Sequence, residues 1–218
     1  MNRKALPILG VMLAALAAIG LAALVAWNQL ASTDQKQNVS RSGEALVAPG
    51  ITVGGNFELT NQDGQTVTQD SFSGQFKLIY FGYSSCPDVC PTELSSMAAA
   101  LDIVAEDTPE LAQQVTPVFV TIDPARDTAA LMKDYVTAFH PRMVGLTGSD
   151  AVIADIARKF RVFYSKGTEI EGGFYLMNHS SYVYFMAPDG SFVTMFHGGT
   201  SPKTMAEAIT RYVSGETS

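Results

Sequence analysis

Apolar and polar positions divide the chain into three stretches. From Ala5 to Trp27 no residue is charged, and Arg3 and Lys4 precede the run. As a helix rising about 1.5 Å per residue it extends roughly 34 Å, enough to cross a hydrocarbon core of about 30 Å. A secretory signal has a shorter apolar region and ends at a small-residue cleavage site. The run is therefore read as a single transmembrane anchor at 5–27. Basic residues in the tail, 1–4, hold it in the cytoplasm and put everything beyond residue 27 outside. No Arg- and Ser-rich transit segment precedes the run, which points to a bacterial inner membrane with a periplasmic domain. From 28 to 50 the chain is polar, without apolar periodicity before Ala45, and reads as a flexible linker.

The remainder, 51–218, is patterned as one folded domain. Asp63-Gly64 between Phe57-Glu58-Leu59 and Gln65-Thr66-Val67 predicts two short strands and a tight turn. Phe76 to Phe81 is apolar on both faces apart from Lys77, as in a strand buried mid-sheet. Leu94, Met97, Ala98, Leu101 and Val104 recur at helical spacing. Val118 to Ile122 predicts a second buried strand. Further helical faces run from Leu131 to Phe139 and from Val152 to Phe160, the latter capped by Ser149. Tyr182–Ala187 and Ser191–Phe196 flank Pro188-Asp189-Gly190 as a hairpin, and Ser201-Pro202 opens a last helix with Met205, Ala208, Ile209 and Tyr212 inward. This is an α/β order with a mixed sheet covered on both faces. With two cysteines just after the first central strand, it resembles a thioredoxin-like fold.

Composition narrows the function. A chain of 218 residues that is 47% hydrophobic and 16% charged is neither disordered nor fibrous. Its net charge of −7 argues against nucleic acid as a partner. Two cysteines cannot staple a domain of this size, so their chemistry matters more than any crosslink.

Cys86 and Cys90 lie in Ser85-Cys86-Pro87-Asp88-Val89-Cys90-Pro91, between a buried strand and a helix. Amide hydrogens and a partial positive charge at a helix amino terminus favour thiolate over thiol. Cysteines four apart share one side of a turn, so they either bridge each other or aim both sulfurs at one ion. Thioredoxin-like reductases have two residues between the pair, where this chain has three. A peroxidase of similar fold carries Thr three residues before its reactive cysteine, where this chain has Tyr83 or Pro87. Soft thiolates select Cu(I) or zinc, and either ion needs a third ligand.

Three histidines are available. His140, at a helix end, and His197, closing the last strand, read as ordinary structural residues. His179 immediately precedes the strand from Tyr182, whose start faces the cysteine loop in a thioredoxin-like layout. Reductases of that fold carry a proline there, and an imidazole in its place supplies the missing ligand. Asp123, Arg126 and Asp127 read as turn and helix-start residues. Met186 and Met195 read as core, which leaves Met177 as the methionine nearest the proposed ligand.

These segments resemble the Sco (SenC) family of copper chaperones for cytochrome c oxidase. The likeness runs from about residue 51 to 213 and includes the anchor. It rests on Tyr80-Phe81-Gly82 leading to the cysteine motif, Thr121-Ile122-Asp123-Pro124-Ala125-Arg126-Asp127-Thr128, Gly145–Ser149, Lys159–Val162, and His179-Ser180 before Pro188-Asp189-Gly190. The resemblance implies a thioredoxin-like domain that binds one copper ion, Cu(I) or Cu(II), through Cys86, Cys90 and His179. It also implies that the copper-site subunit of the oxidase is the partner, with a copper donor protein and a thiol reductant upstream. Ser85 stands where many relatives have His or Thr, and Asn178 where many have Asp. A thiol-disulfide reductase using Cys86 and Cys90 as a redox-active pair, and a redox or copper sensor, are the rival readings.

Overall fold

The computed structural model describes residues 20–22, 44–45, 50–170 and 172–215. The chain divides into two units, Met1–Arg41 and Ser42–Ser218. In the first, only a turn of helix at 20–22 is described, and Leu21 is exposed. Among the described residues no helix is long and apolar enough to cross a membrane. The anchor expected at 5–27 lies outside them apart from that turn, as do the tail 1–4 and most of the linker 28–50.

In chain order the second unit comprises Glu44–Ala45 (β1), Glu58–Asn61 (β2), Thr66–Thr68 (β3), a 3-10 turn at Gln69–Phe72, Phe76–Gly82 (β4), Val89–Asp107 (α1), Pro109–Gln113 (α2) and Val115–Thr121 (β5). Ala129–Thr137 (α3), Val144–Thr147 (β6), Asp150–Lys159 (α4), Tyr164–Lys166 (β7), Met177–His179 (β8), Tyr182–Met186 (β9), Phe192–His197 (β10) and Pro202–Val213 (α5) follow. Eight strands form one sheet in the order β1-β10-β9-β4-β5-β6-β2-β3, and β7 pairs with β8 as a separate hairpin. Strands β4, β5 and β6 run parallel, joined by helical crossovers, while the remaining pairings are antiparallel. The result is the expected mixed α/β sheet. It also takes in Glu44 and Ala45, which pair with Phe196 and Met195 although they fall within the segment expected as linker.

Alternation along β4 explains the layers. Tyr80 and Gly82 point to one face and Phe81 to the other. On the Tyr80 face lie α1, α3 and α5: Cys90 of α1 bonds Tyr80, Tyr135 of α3 packs 5.4 Å from Phe119, and Tyr212 of α5 lies 6.2 Å from Phe185. On the opposite face Phe160, just past α4, meets Phe81 at 5.2 Å and Tyr184 at 5.6 Å. Lys77, the polar exception in β4, is buried with its ammonium donating to the carbonyls of Gln75 (3.2 Å) and Ala187 (3.0 Å). Ser149 and Ser201 cap α4 and α5 as expected, accepting from the amides of Val152 and Thr204.

Besides β1, several elements depart from the pattern read from sequence. Strand β6, helix α2 and the β7–β8 hairpin are additional, and β5 begins at Val115, ahead of the expected Val118. The hairpin matters for the site, because His179 closes its second strand opposite Tyr164.

Candidate metal centre

Strand β4 ends at Gly82, and the chain arches through Tyr83–Asp88 into the first turn of α1. The arch is held by a buried acid. Asp127 is 0% exposed, and its carboxylate accepts from the Ser84 amide at 3.0 Å, the Thr121 hydroxyl at 2.6 Å and the Ser84 hydroxyl. Its own carbonyl accepts from Thr147 at 2.8 Å. The helix-start role expected of Asp127 belongs instead to Thr128, whose hydroxyl accepts from the Leu131 amide. Sequence alone reads Asp127 as a turn or helix-start residue, since its partner Ser84 lies 43 residues upstream.

The two thiols differ. Cys86 is half-buried and Cys90 fully buried, and both are free. The Cys90 amide donates to the Cys86 sulfur at 3.4 Å, the helix-terminus contact anticipated from the motif. Burial opposes the Cys86 thiolate, but the amides of Asp88 and Cys90, the Cys90 thiol and the Tyr83 hydroxyl outweigh it and hold this thiol below its usual value. Burial pushes the Cys90 thiol well up, against donation from the Tyr83 amide.

His179 reaches the pair from the hairpin. Antiparallel pairing of β9 with β4, Tyr80 opposite Val183, brings the segment before Tyr182 to the cysteine arch. His179 Nε2 lies 3.5 Å from Cys90 Sγ, while Nδ1 lies 3.0 Å from the Ser180 carbonyl. A carbonyl only accepts, so Nδ1 carries the proton and Nε2 turns its lone pair to the sulfurs. Tyr80 and Tyr83 flank the ring edge-on, each 6.0 Å away. Burial lowers the His179 pKa, opposed by the Ser180 carbonyl, so the neutral ligand form is favoured.

Cys86 Sγ, Cys90 Sγ and a His179 ring nitrogen lie within 4.8 Å of one another. Donors on opposite sides of one ion at about 2.0–2.3 Å stand up to about 4.6 Å apart, so a shift of a few tenths of an ångström brings all three onto a single ion. The other sequence candidates fall outside this group. His140 is buried and accepts the Arg142 amide on Nδ1 at 3.1 Å, and His197 is exposed beside Tyr182. Asp123 is a buried turn residue paired with Arg126. Ser85 is exposed, and Asn178 turns outward to Ser165, so the Ser180 carbonyl, and no side chain at 178, orients the imidazole. Tyr80, whose hydroxyl donates to Cys90 Sγ at 3.9 Å, belongs to the Tyr80-Phe81-Gly82 segment, but a strand tyrosine reads from sequence as core and gives no sign of this contact.

Residues 47–214 match the family model described as SCO1/SenC. Protein sco1 of Schizosaccharomyces pombe is 38% identical over 214 residues, 96% of this chain and 78% of that protein. A SCO2-like protein of Rickettsia conorii is 40% identical over 73% of this chain and 76% of its own length. Among solved structures, copper-bound ScoI of Arabidopsis thaliana superimposes with a TM-score of 0.71 at 36% identity, covering 75% of this chain and 99% of that one. Copper-bound ScoI of Bradyrhizobium japonicum gives 0.67 at 40% identity, covering 74% and 99%. The mixed sheet, the arch between β4 and α1 and the matched span agree on one assignment: the chain belongs to the SCO1/SenC family.

Proposed function

We propose that this protein is a membrane-anchored copper metallochaperone that binds one copper ion through Cys86, Cys90 and His179 and passes it to the copper-site subunit of cytochrome c oxidase. In this reading residues 1–4 are a cytoplasmic tail, 5–27 the anchor, 28–50 a linker and 51–218 a periplasmic thioredoxin-like domain. The observation that carries it is the His179 ring, whose Nδ1 is committed to Ser180 while Nε2 faces Cys90. Two thiolates suit Cu(I), and the imidazole adds the nitrogen donor that Cu(II) favours. The copper-bound ScoI relatives support the choice of ion. Metal analysis of the reduced chain tests the reading. One copper per chain is expected, with His179→Ala losing Cu(II) more than Cu(I). Equal copper retention by the disulfide form would overturn it, because a disulfide has no thiolate to offer.

A second reading, reduction of the oxidase's cysteines, is favoured by one observation. An accessible thiol of lowered pKa beside a buried one of raised pKa is the arrangement of an attacking and a resolving cysteine. Such a reductase needs no His179, so a His179→Ala variant that still supports oxidase assembly would promote it.

A further inference from the structure

The β7–β8 hairpin that carries His179 is a two-stranded unit outside the main sheet, and such a unit is marginal in water unless the body holds it. Its second arm alternates. Phe174 and Leu176 are 46% and 44% exposed and Asn178 is exposed, whereas Tyr175, Met177 and His179 turn inward. At a period of two these three form one face, and each meets a different part of the body. His179 meets the thiols, Met177 packs against the core, and Tyr175 sits on the turn after β5.

The Tyr175 contact is the most elaborate of the three. Its hydroxyl donates to Asp123 Oδ1 at 2.9 Å, its carbonyl accepts from Arg126 Nη1 at 3.0 Å, and the Arg126 guanidinium lies 3.8 Å from its ring centre. Lys166 covers the ring at 3.9 Å. Arg126 is itself fixed by Asp123 and stands 5.6 Å from the ring of Tyr83, three residues before Cys86 in the arch. One guanidinium thus touches both the arm that presents His179 and the arch that presents Cys86.

We propose that Arg126, Asp123 and Tyr175 form a latch that holds the His179 arm over the two thiols, making Arg126 and Tyr175 positioning residues for the third ligand. With the latch open, the arm keeps only its two inner contacts, and the ion is left to two sulfurs. This rests on His179 being a copper ligand, so His179→Ala is the reference in the test.

Full-length chain, reduced and held without oxygen in detergent, is titrated with Cu(II) and separately with Cu(I) for the parent, Tyr175→Leu, His179→Ala and the double variant. Removing a group that orients a ligand typically costs about 10 to 100-fold in metal affinity. Tyr175→Leu is therefore expected to weaken Cu(II) at least about tenfold, to reduce the nitrogen coupling in the Cu(II) resonance spectrum, and to leave Cu(I) nearly unchanged. The double variant is expected to be no worse than His179→Ala alone, since both act through one ligand. Parent-like Cu(II) affinity and spectrum in Tyr175→Leu, beside a clear loss in His179→Ala, would overturn the latch and leave the ligand assignment standing. No effect of His179→Ala would overturn both. Should Tyr175→Leu fail to fold, Tyr175→Phe removes only the hydroxyl to Asp123. A smaller Cu(II)-selective loss there supports the latch, and none overturns it.

Discussion

Gly82 leaves the space that the Cys90 sulfur fills: a Cβ at residue 82 would lie 2.8 Å from Cys90 Sγ, with Tyr80 and Phe119 ring carbons at 2.9 and 3.0 Å. The buried thiol thus depends on a missing methyl group in the neighbouring strand. Gly82→Ala is expected to displace the sulfur, because both ring neighbours are locked in the core. Overpacking of this kind costs about 1–3 kcal/mol in stability. Copper affinity should fall as well, in proportion to the sulfur's displacement. Chemical denaturation and copper titration of the same variant check both effects. An unchanged midpoint would mean that Cys90 shifts freely.

The unequal thiols predict an order of reaction. With Cys86 half-exposed and its pKa lowered, and Cys90 buried with its pKa raised, alkylation near pH 7 should modify Cys86 first. Cys90→Ser should label at close to the parent's rate, and Cys86→Ser slower by on the order of tenfold or more. Mass mapping of the first modified residue after brief iodoacetamide treatment decides it. Labelling at Cys90 first would reverse the roles in any disulfide exchange.

What the sequence revealed of this site follows from how local each signal is. The spacing of Leu94, Met97, Leu101 and Val104 names the buried face of α1, and all four are buried. His179 could be placed near the cysteines because the antiparallel partner of β4 must begin beside the end of β4. Strand β6 is only four residues long and is interrupted by Gly145, where a Cβ would meet Val136 and Met132 at 3.0 and 3.2 Å. Packing on α3, which no short window reports, demands that glycine. The inward face Tyr175–Met177–His179 alternates plainly, but its paired strands are three residues each, too short for periodicity to count. Asp127 escaped because a carboxylate beside a turn explains itself locally, while its real partners come from two other segments.

Asp127→Ala removes an acceptor serving three donors and leaves the Ser84 amide and the Thr121 hydroxyl without it. Hydrogen bonds to a buried charge contribute about 1.5–3 kcal/mol each, and partial relaxation should leave a net loss of about 3 kcal/mol. The arch carrying Cys86 should loosen in the same variant, seen as faster amide exchange at residues 84–86. Stability within about 0.5 kcal/mol of the parent would show that the carboxylate is dispensable.

Glu93 gives the fold a pH dependence whose sign can be stated. This side chain of α1 is 2% exposed. Its Oε1 accepts the Gly199 amide at 2.7 Å, and Oε2 is buried with no hydrogen-bond partner among the described residues. Burial raises its pKa, and donation from Gly199 opposes the rise. A carboxyl raised on folding binds its proton more tightly in the native state. Its stabilising effect is therefore complete below the unfolded value of about 4.3 and is lost as pH climbs through the folded value. Glu93→Gln keeps an acceptor for Gly199 and cannot ionise. The parent should lose stability relative to this variant as pH rises from about 4 toward neutrality, a difference that cancels the titrations common to both chains. Denaturation midpoints of the pair across that range are the measurement. A constant difference between them would mean that Glu93 titrates alike in folded and unfolded chains, so that its partners fully offset the burial of its carboxyl.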